Sequence, residues 1–353
     1  NFVGDPEGSL SNFGGGYFSI LIMATSLQKH TSDFKPPPGH GKIACHLPYG
    51  TRKPAFSTFR ASYPLKFLTP KVHIPYLAAV YFLSYGGGMV SGDSICIDIE
   101  TFQNVNLMLL TQGSTKIYKQ RARKESIHDS SEYLHAEPKN LSSVTRQSLN
   151  AYVHESSLLL QLPEPTTCFR DAEYVQSQTF SLENGASVVI LDWFTSGRMS
   201  RGERWEFARY ESGVNLLIGG KLVLRDVVLL QNGDYNNNCV SFTKNKDENN
   251  INNLNRRLEP YECFATLVIY GPKVISLTNH IMDEFDKIVV DKMDKVADLI
   301  WSASALRIEE KTIRGVVIKV AGVATEVVRS FLVGVALKGL NEIIGENLFE
   351  RAL

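Results

Sequence analysis

The chain lacks an excess of charge of either sign, because its 353 residues carry 37 Lys and Arg against 37 Asp and Glu. A formal net charge of zero argues against a protein built mainly to hold nucleic acid or an anionic membrane. Only 21% of the residues are charged and 43% are apolar. That composition is typical of a folded globular protein, and a chain of this length buries enough surface to need no cross-links.

Cysteine and long hydrophobic runs are also scarce. The five cysteines are Cys45, Cys96, Cys168, Cys239 and Cys263. Their odd number and wide spacing fit neither a disulfide framework nor a zinc site, which predicts a reducing, cytoplasmic location. The apolar stretch 76–83 is far below the roughly 20 residues that cross a bilayer. No basic segment precedes the apolar residues 17–24, so we expect no signal peptide.

The sequence lacks the common catalytic signatures. Gly219-Gly220-Lys221 resembles the end of a phosphate-binding loop, but Asn215 and Leu222 stand where that loop needs Gly and Ser or Thr. A β-turn is therefore the better interpretation. No nucleophile elbow of the G-x-S-x-G type occurs, and no two histidines have chelating spacing. We therefore predict that the chain has no hydrolase or nucleotidase activity and does not bind GTP.

Short segments of alternating polarity dominate the middle of the chain. In 94–100 (SICIDIE) the isoleucines alternate with Cys, Asp and Glu, which is typical of a half-buried strand. Similar patterns occur at 105–111, 157–162, 186–194, 203–210 and 221–230. Turn signals such as 183–185 (ENG) separate them. The sequence therefore predicts a mainly β body.

The remaining segments complete the predicted organisation. Residues 1–40 are predicted to be a flexible N-terminal tail and 41–353 a single domain, with polar insertions at 124–142 and 232–257. Apolar residues recur at helical spacing in 277–302 and 325–350, which predicts two C-terminal helices. The β-branched segment 312–323 between them is predicted to be a strand.

Four segments stand out in their order. The first is a glycine-rich corner at 84–93 (SYGGGMVSGD), where glycines allow positive φ or close backbone approach. The second is 110–118 (LTQGSTKIY), the third joins 162–165 (LPEP) to 169–172 (FRDA), and the fourth joins 192–198 (DWFTSGR) to 202–205 (GERW). Each segment alone is a weak signal, but the ordered set is specific.

Together these segments resemble the urease accessory protein D family, which is called H in some bacteria. The matching residues are Gly86, Gly87, Gly92, Asp93, Thr111, Thr115, Lys116, Pro163, Trp193, Gly197, Arg198, Gly202 and Glu203. The resemblance runs from about residue 41 to the final helix and leaves out the tail and the two insertions. The chain departs from the family at Ser91, where many members have a further glycine.

The resemblance implies a mainly β fold, a β-helix-like stack of many short strands with about two α-helices near the C-terminus. It implies a chaperone of urease maturation that is not an enzyme and has no tightly bound cofactor. This chaperone would dock an F-type accessory protein and, through it, a G-type GTPase. The complex would act on apo-urease, and a dimer could form within it. Ni²⁺ would pass through the D-type protein in transit to the urease active site. No nucleic acid or membrane partner is implied.

A passage for Ni²⁺ must admit the ion and also release it, which favours single carboxylates and water over a closed His/Cys cage. We consider Asp93, after the glycine corner, and Glu203, in an apolar row of a predicted strand, as candidate residues of the passage. Asp171 and Asp192 are further candidates. The alternative is structural: a salt bridge of the buried carboxylate, for example to Arg198 or Arg225 in this chain.

Two other interpretations stay open. A carbohydrate-active enzyme on a stacked-strand scaffold would use two of Asp93, Asp171 and Glu203 as acid and base, about 5–10 Å apart in an open groove. A β interaction module would have no metal path at all.

The C-terminal helical region has more apolar residues than one helix seam needs. Those that predict a partner-binding surface are Phe331, Leu340, Ile343, Ile344 and Phe349. Packing of the same residues on the β body is the alternative.

Overall fold

Strands form most of the fold. The structure, a computed structural model, describes residues 36–120, 143–232, 254–288, 297–309 and 312–345. The strands are β1 (His40–His46), β2 (Ala55–Ala61), β3 (Leu65–Leu68), β4 (Leu77–Ser84), β5 (Ser94–Thr101), β6 (Asn106–Thr111), β7 (Thr115–Ile117), β8 (Thr145–Val153), β9 (Leu158–Gln161), β10 (Thr166–Cys168), β11 (Glu173–Leu182), β12 (Ser187–Thr195), β13 (Arg209–Ile218), β14 (Lys221–Gln231), β15 (Cys263–Tyr270), β16 (Leu299–Glu309) and β17 (Thr312–Gly322).

The chain winds back and forth between two sheets. The seven-stranded sheet has the order β14-β13-β11-β8-β5-β1-β2, and its five inner strands are parallel. The ten-stranded sheet has the order β16-β17-β15-β12-β9-β6-β4-β3, with β7 and β10 beside this path. Strands β4, β6, β9 and β12 are parallel to one another and alternate along the chain with strands of the first sheet. The predicted β-helix-like stack is thus confirmed.

Two apolar cores explain the strand sequences. The first core lies between the sheets and includes Val188, Ile190 and Phe194 of β12. The second core lies between the ten-stranded sheet and the helices and includes Val189 and Leu191 of the same strand. Because β12 is covered on both faces, its sequence is an almost unbroken apolar run. Strands of the seven-stranded sheet instead alternate, since their outer face meets water.

The helices depart from the prediction for 277–302. The described residues contain α1 (Leu254–Leu258), α2 (Ile275–Asp286), α3 (Thr325–Phe331) and α4 (Leu340–Ile344). Helix α2 ends at Asp286, residues 289–296 lie outside the described part, and 299–309 is strand β16. Alternation of Trp301, Ala303 and Ala305 with serines suits that strand, whose backbone pairs with β17. The predicted strand at 312–323 is confirmed as β17.

The predicted helix 325–350 is interrupted. A π-helical turn (Leu332–Ala336) follows α3, and Gly339 with φ of 93° separates it from α4. Phe331, Leu340 and Ile344 are buried in the second core, and Ile343 packs against it, while Phe349 lies outside the described residues. Four of the five residues that predicted a partner surface therefore pack within the protein itself. No helix of the described residues is long and apolar enough to cross a membrane.

Two further sequence predictions, the strand 203–210 and the end of the insertion 232–257, are changed by the structure. Residues 203–208 are not a strand: Trp205 has φ of 57°, and β13 begins only at Arg209. Most of the predicted tail 1–40 and of the insertions 124–142 and 232–257 lies outside the described residues. The end of the second insertion forms helix α1, because Leu254 is buried in the first core.

Candidate functional site

The glycine corner connects β4 of one sheet to β5 of the other. Gly86 and Gly87 have φ of 81° and 74°, a left-handed conformation that glycine adopts without strain. Gly88 is needed for another reason: a Cβ at this position would lie 2.6 Å from the carbonyl oxygen of Lys116. The corner thus packs directly on β7, and Met89 forms a β-bridge with Ile117 there.

Asp93 stabilises this corner. Its carboxylate oxygen Oδ2 accepts a hydrogen bond from the N–H of Val90 at 2.8 Å, and its own N–H donates to the carbonyl oxygen of Val90 at 2.9 Å. Short side-chain-to-backbone bonds of this kind are typical of Asp in turns. The carboxylate is partly exposed and engaged with the turn, not directed between the sheets.

Glu203 forms a salt bridge with Arg198, the alternative that the sequence left open. Arg198 Nε donates to Glu203 Oε2 at 2.7 Å, and Nη2 donates to Oε1. The guanidinium also lies 4.2 Å from the ring centroid of Phe169. Hydrogen bonding by Arg198 lowers the pKa of Glu203 below its ordinary value. The carboxylate is buried and already neutralised, so it is not free to coordinate a passing cation.

Asp171 is an exposed turn residue with φ of 61°, and its N–H donates to the carbonyl oxygen of Glu206 at 3.0 Å. Asp93, Asp171 and Glu203 precede β5, β11 and β13, which enter the seven-stranded sheet at the same end. Strand β8 lies between β5 and β11, so Asp93 and Asp171 precede strands that are not neighbours in the sheet. Glu203 is bound to Arg198 and is therefore not a free acid or base of the kind that a carbohydrate-active site needs.

Asp192 is the sequence-predicted candidate that faces the space between the sheets. It lies on the same face of β12 as Val188 and Ile190, and its side chain reaches the opposite sheet. Ser212 Oγ donates to its Oδ2 at 2.6 Å, and Gln176 Nε2 donates to its Oδ1 at 3.2 Å. Burial raises the pKa of this carboxyl, although both hydrogen bonds oppose the shift.

Other polar side chains extend from Asp192 in both directions. We define the polar row as Gln161, Asp192, Thr266 and Lys319 on the ten-stranded sheet and Gln176, Gln178, Ser212 and Asp226 on the seven-stranded sheet. In the interior, Gln161 Nε2 donates to Gln178 Oε1. Toward the edge, Lys319 Nζ donates to both oxygens of Asp226, at 2.6 and 2.8 Å. The row therefore runs from the centre of the first core to its rim, where Lys319 is half exposed.

Several polar atoms along the row lack protein partners. Gln161 Oε1, Gln178 Nε2 and Tyr210 Oη are buried, and none has a hydrogen-bond partner. A buried polar group without a partner costs about 1–3 kcal/mol, so such groups usually hold water or an ion. Asp192, although deep in the protein, keeps part of its surface accessible. The arrangement is thus suited to ordered water and a loosely held cation.

The chemistry of the described residues does not favour a tight metal cage. No group of three or more His, Cys, Asp or Glu side chains in this part of the chain could hold a metal ion. Burial raises the pKa of Cys45 and of Cys263 to about 12, so neither supplies a thiolate near neutral pH. Single carboxylates with amide and hydroxyl neighbours bind a divalent ion weakly and exchange it readily.

Sequence reasoning identified Asp192 but missed the rest of the polar row. Gln161 could have been found, because it interrupts the leucine run of β9 as Asp192 interrupts β12. Asp226 and Lys319 are 93 positions apart in the sequence, so only the sheet topology brings them together.

The fold and the polar row define a class of protein: a two-sheet β scaffold with an internal row of polar groups between the sheets. A family model described as "UreD urease accessory protein" matches residues 40–348. The chain therefore belongs to the UreD family of urease accessory proteins.

Curated relatives agree with this assignment. The chain is 31% identical over 328 residues to "Urease accessory protein 4" of Cryptococcus neoformans var. grubii, covering 89% of this chain and 95% of the relative. It is 29% identical over 305 residues to "Urease accessory protein D" of Arabidopsis thaliana, covering 80% and 90% of the two chains. It is 32% identical over 288 residues to "Urease accessory protein UreD" of Sorangium cellulosum, covering 82% and 76%.

Proposed function

We propose that this protein is a non-enzymatic, cytoplasmic maturation factor of urease. It scaffolds F-type and G-type accessory proteins on apo-urease and assists delivery of Ni²⁺ to the urease active site. Family membership supports the urease-accessory role. Ni²⁺ is the cargo in transit, and the partners are urease, the F-type protein and, through it, the G-type GTPase.

The polar row is the proposed route of the ion. The observation that carries this step is Asp192: a carboxylate deep between two sheets, with unpartnered polar atoms of Gln161, Gln178 and Tyr210 on the neighbouring strands. An isolated carboxylate in an apolar core is unfavourable, and a cation or water beside it offsets part of that cost. Asp93, Asp171 and Glu203 serve the fold in this proposal.

The melting temperature of an Asp192 variant distinguishes a functional from a structural carboxylate. Because burial raises the pKa of Asp192, the folded state favours the protonated form, and ionisation lowers stability as the pH rises. Replacement Asp192→Asn removes the ionisable group and keeps the shape. We therefore expect its melting temperature to equal or exceed that of the parent protein.

The experiment co-expresses urease and its accessory proteins with the parent chain, Asp192→Asn or the matched control Asp98→Asn. Asp98 lies on the outer face of β5 and accepts a hydrogen bond from Asn150. We expect Asp192→Asn to lower urease activity and nickel content, with partial recovery in excess nickel, and Asp98→Asn to leave both unchanged. Full activation by Asp192→Asn would refute the route. Failure of the parent chain to co-purify with urease and the F-type protein would refute the scaffold.

A further inference from the structure

Three hollows that share lining residues lie at the side of the molecule opposite β14. The first, of about 320 Å³, lies between β2 and β3; the second, also of about 320 Å³, lies between β3, the glycine corner and the turn before β7. The third, of about 590 Å³, continues past the same turn to Glu164. We call these adjoining hollows together the aromatic groove and define it by segments 59–70, 81–88 and 111–116, with Glu164 at its far end.

Exposed aromatic rings are concentrated in this groove. Of the six exposed aromatic residues in the described part of the chain, three line it: Phe59, Tyr63 and Tyr85. Tyr63 is 72% exposed, and its ring centroid lies 5.6 Å from that of Tyr85. Exposed aromatic residues in a concave surface are typical of the anchor points of protein interfaces.

The charged residues of the first two hollows are all basic. Arg60, Lys66 and Lys116 line the first two hollows, which contain no acidic residue. Within the described residues these three cations form no salt bridge. The one acid of the groove, Glu164, lies at its far end and is neutralised by Arg329. The groove is therefore complementary to a negatively charged ligand.

The backbone beside the groove suits an extended chain. β3 is the terminal strand of the ten-stranded sheet and, among the described strands, pairs only with β4. A terminal strand presents unpaired N–H and C=O groups that an added peptide strand can bind. A nucleic-acid strand fits less well, because it needs cations along its whole backbone, whereas this groove has three and the chain has no net positive charge.

We propose that the aromatic groove binds an extended, acidic segment of a partner protein, with apolar side chains anchored against Tyr63 and Tyr85. The glycine corner forms part of its floor, and this gives Gly86 and Gly87 a binding role in addition to their role in the turn. The proposal goes beyond nickel delivery and does not depend on the polar row, because none of the groove segments contains a residue of that row.

The test uses fluorescence anisotropy with labelled peptides of about twelve residues, a length that spans about 40 Å when extended. One peptide alternates Glu with Leu and Tyr, the second has Lys in place of Glu, and the third has Ser in place of Leu and Tyr. We expect the full chain to bind the first peptide with micromolar affinity and the other two at least about tenfold more weakly. Added salt should weaken the binding of the first peptide.

Variants locate the site. Tyr63→Ala and the double variant Arg60→Glu/Lys66→Glu should each lower the affinity for the first peptide at least about tenfold. Lys221→Glu, a charge reversal on exposed β14, is the matched control and should not change the affinity for this peptide. Circular dichroism and melting curves confirm that each variant is folded. No binding, equal binding of the Glu and Lys peptides, unchanged affinity of Tyr63→Ala, or preference for oligothymidylate would each overturn the proposal. A dimer that Tyr63→Ala abolishes and the peptide does not displace would assign the groove to a second copy of the chain instead.

Discussion

Arg329 and Glu164 join the C-terminal helical layer to the loop after β9. Nη1 and Nη2 of Arg329 donate to the two carboxylate oxygens of Glu164 at 2.9 and 2.7 Å. The guanidinium also lies 5.3 Å from the ring centroid of Trp193, whose Nε1 donates to the carbonyl oxygen of Pro163 at 2.8 Å. Arg329 of α3 thus contacts both Glu164 and Trp193, in two segments that the hydrogen bond from Trp193 to Pro163 also joins.

Arg329→Met should lower the free energy of unfolding by about 1–3 kcal/mol, because it leaves a largely buried carboxylate without a partner. Arg329→Lys should be intermediate, since an ammonium cannot reproduce the two-point geometry. Urea denaturation followed by tryptophan fluorescence measures both. Lys287→Met, which removes an exposed pair with Glu284, is the control and should change little. Equal effects of Arg329→Met and Lys287→Met would contradict this role of Arg329.

The salt bridge between Arg198 and Glu203 predicts a specific dependence on pH. Arg198 lowers the pKa of Glu203 in the folded state below the ordinary value of 4.5. The pair therefore stabilises the fold above about pH 4.5, and this contribution is lost as the pH falls through the lowered pKa. The stability difference between the parent and Glu203→Gln should be constant near neutrality and shrink in acid. Denaturation curves at several pH values measure it, and a difference that grows on acidification would exclude the mechanism.

Two glycines of the corner should respond differently to alanine. At Gly87 a Cβ has free space but φ is 74°, so Gly87→Ala should cost about 1–2 kcal/mol from backbone strain alone. At Gly88 φ is extended, and the cost comes from the 2.6 Å approach to the Lys116 carbonyl oxygen. Overpacking against backbone costs about 1–3 kcal/mol or more, so Gly88→Ala should be the more harmful. Thermal melts compare the two variants, and equal melting temperatures would contradict the close packing of the corner on β7.

The stacked fold was predictable because most strands are short, alternate in polarity and have clear turn signals, as in β5. Apolar alternation alone wrongly predicted a strand at 203–210: Trp205 and Phe207 are buried, but positive φ at Trp205 breaks the strand. The predicted helix 277–302 likewise extended wrongly into β16, because Ile300 falls at a helical interval by chance. Pairing with β17 decides the conformation of this segment.

For the candidate site, the sequence revealed a single unusual residue but not the contacts that this residue makes with distant strands. Asp192 is visible in the sequence as a charge within an apolar strand, so its unusual environment follows from pattern. Its neighbours Gln176 and Ser212 lie on half-exposed strands, where polar residues are ordinary. Their inward direction depends on strand register, which the sequence specifies only through the whole fold.

Lys319 is bound to Asp226, the carboxylate of the polar row that lies nearest the rim. A cation entering the row from the rim would meet this carboxylate first. Its Nζ contacts both oxygens of Asp226, whose side chain is 18% exposed at the rim. Lys319→Met keeps an unbranched apolar side chain but frees Asp226 and removes a positive charge from the entrance. We expect the purified variant to bind Ni²⁺ up to about fivefold more tightly than the parent, since a partly exposed ion pair contributes about 0.2–1 kcal/mol. Isothermal titration calorimetry measures the change.

A double variant separates the entrance from a simple staple between the sheets. If Asp226 provides the added affinity, Lys319→Met/Asp226→Asn should lose it and bind Ni²⁺ no better than the parent protein. If Lys319 only holds β17 to β14, Lys319→Met should lower the melting temperature and leave Ni²⁺ affinity unchanged, which would contradict the prediction. Titrations of the parent, Lys319→Met, Asp226→Asn and the double variant give the coupling between the two substitutions, which is the part of the Ni²⁺ affinity that depends on the pair itself.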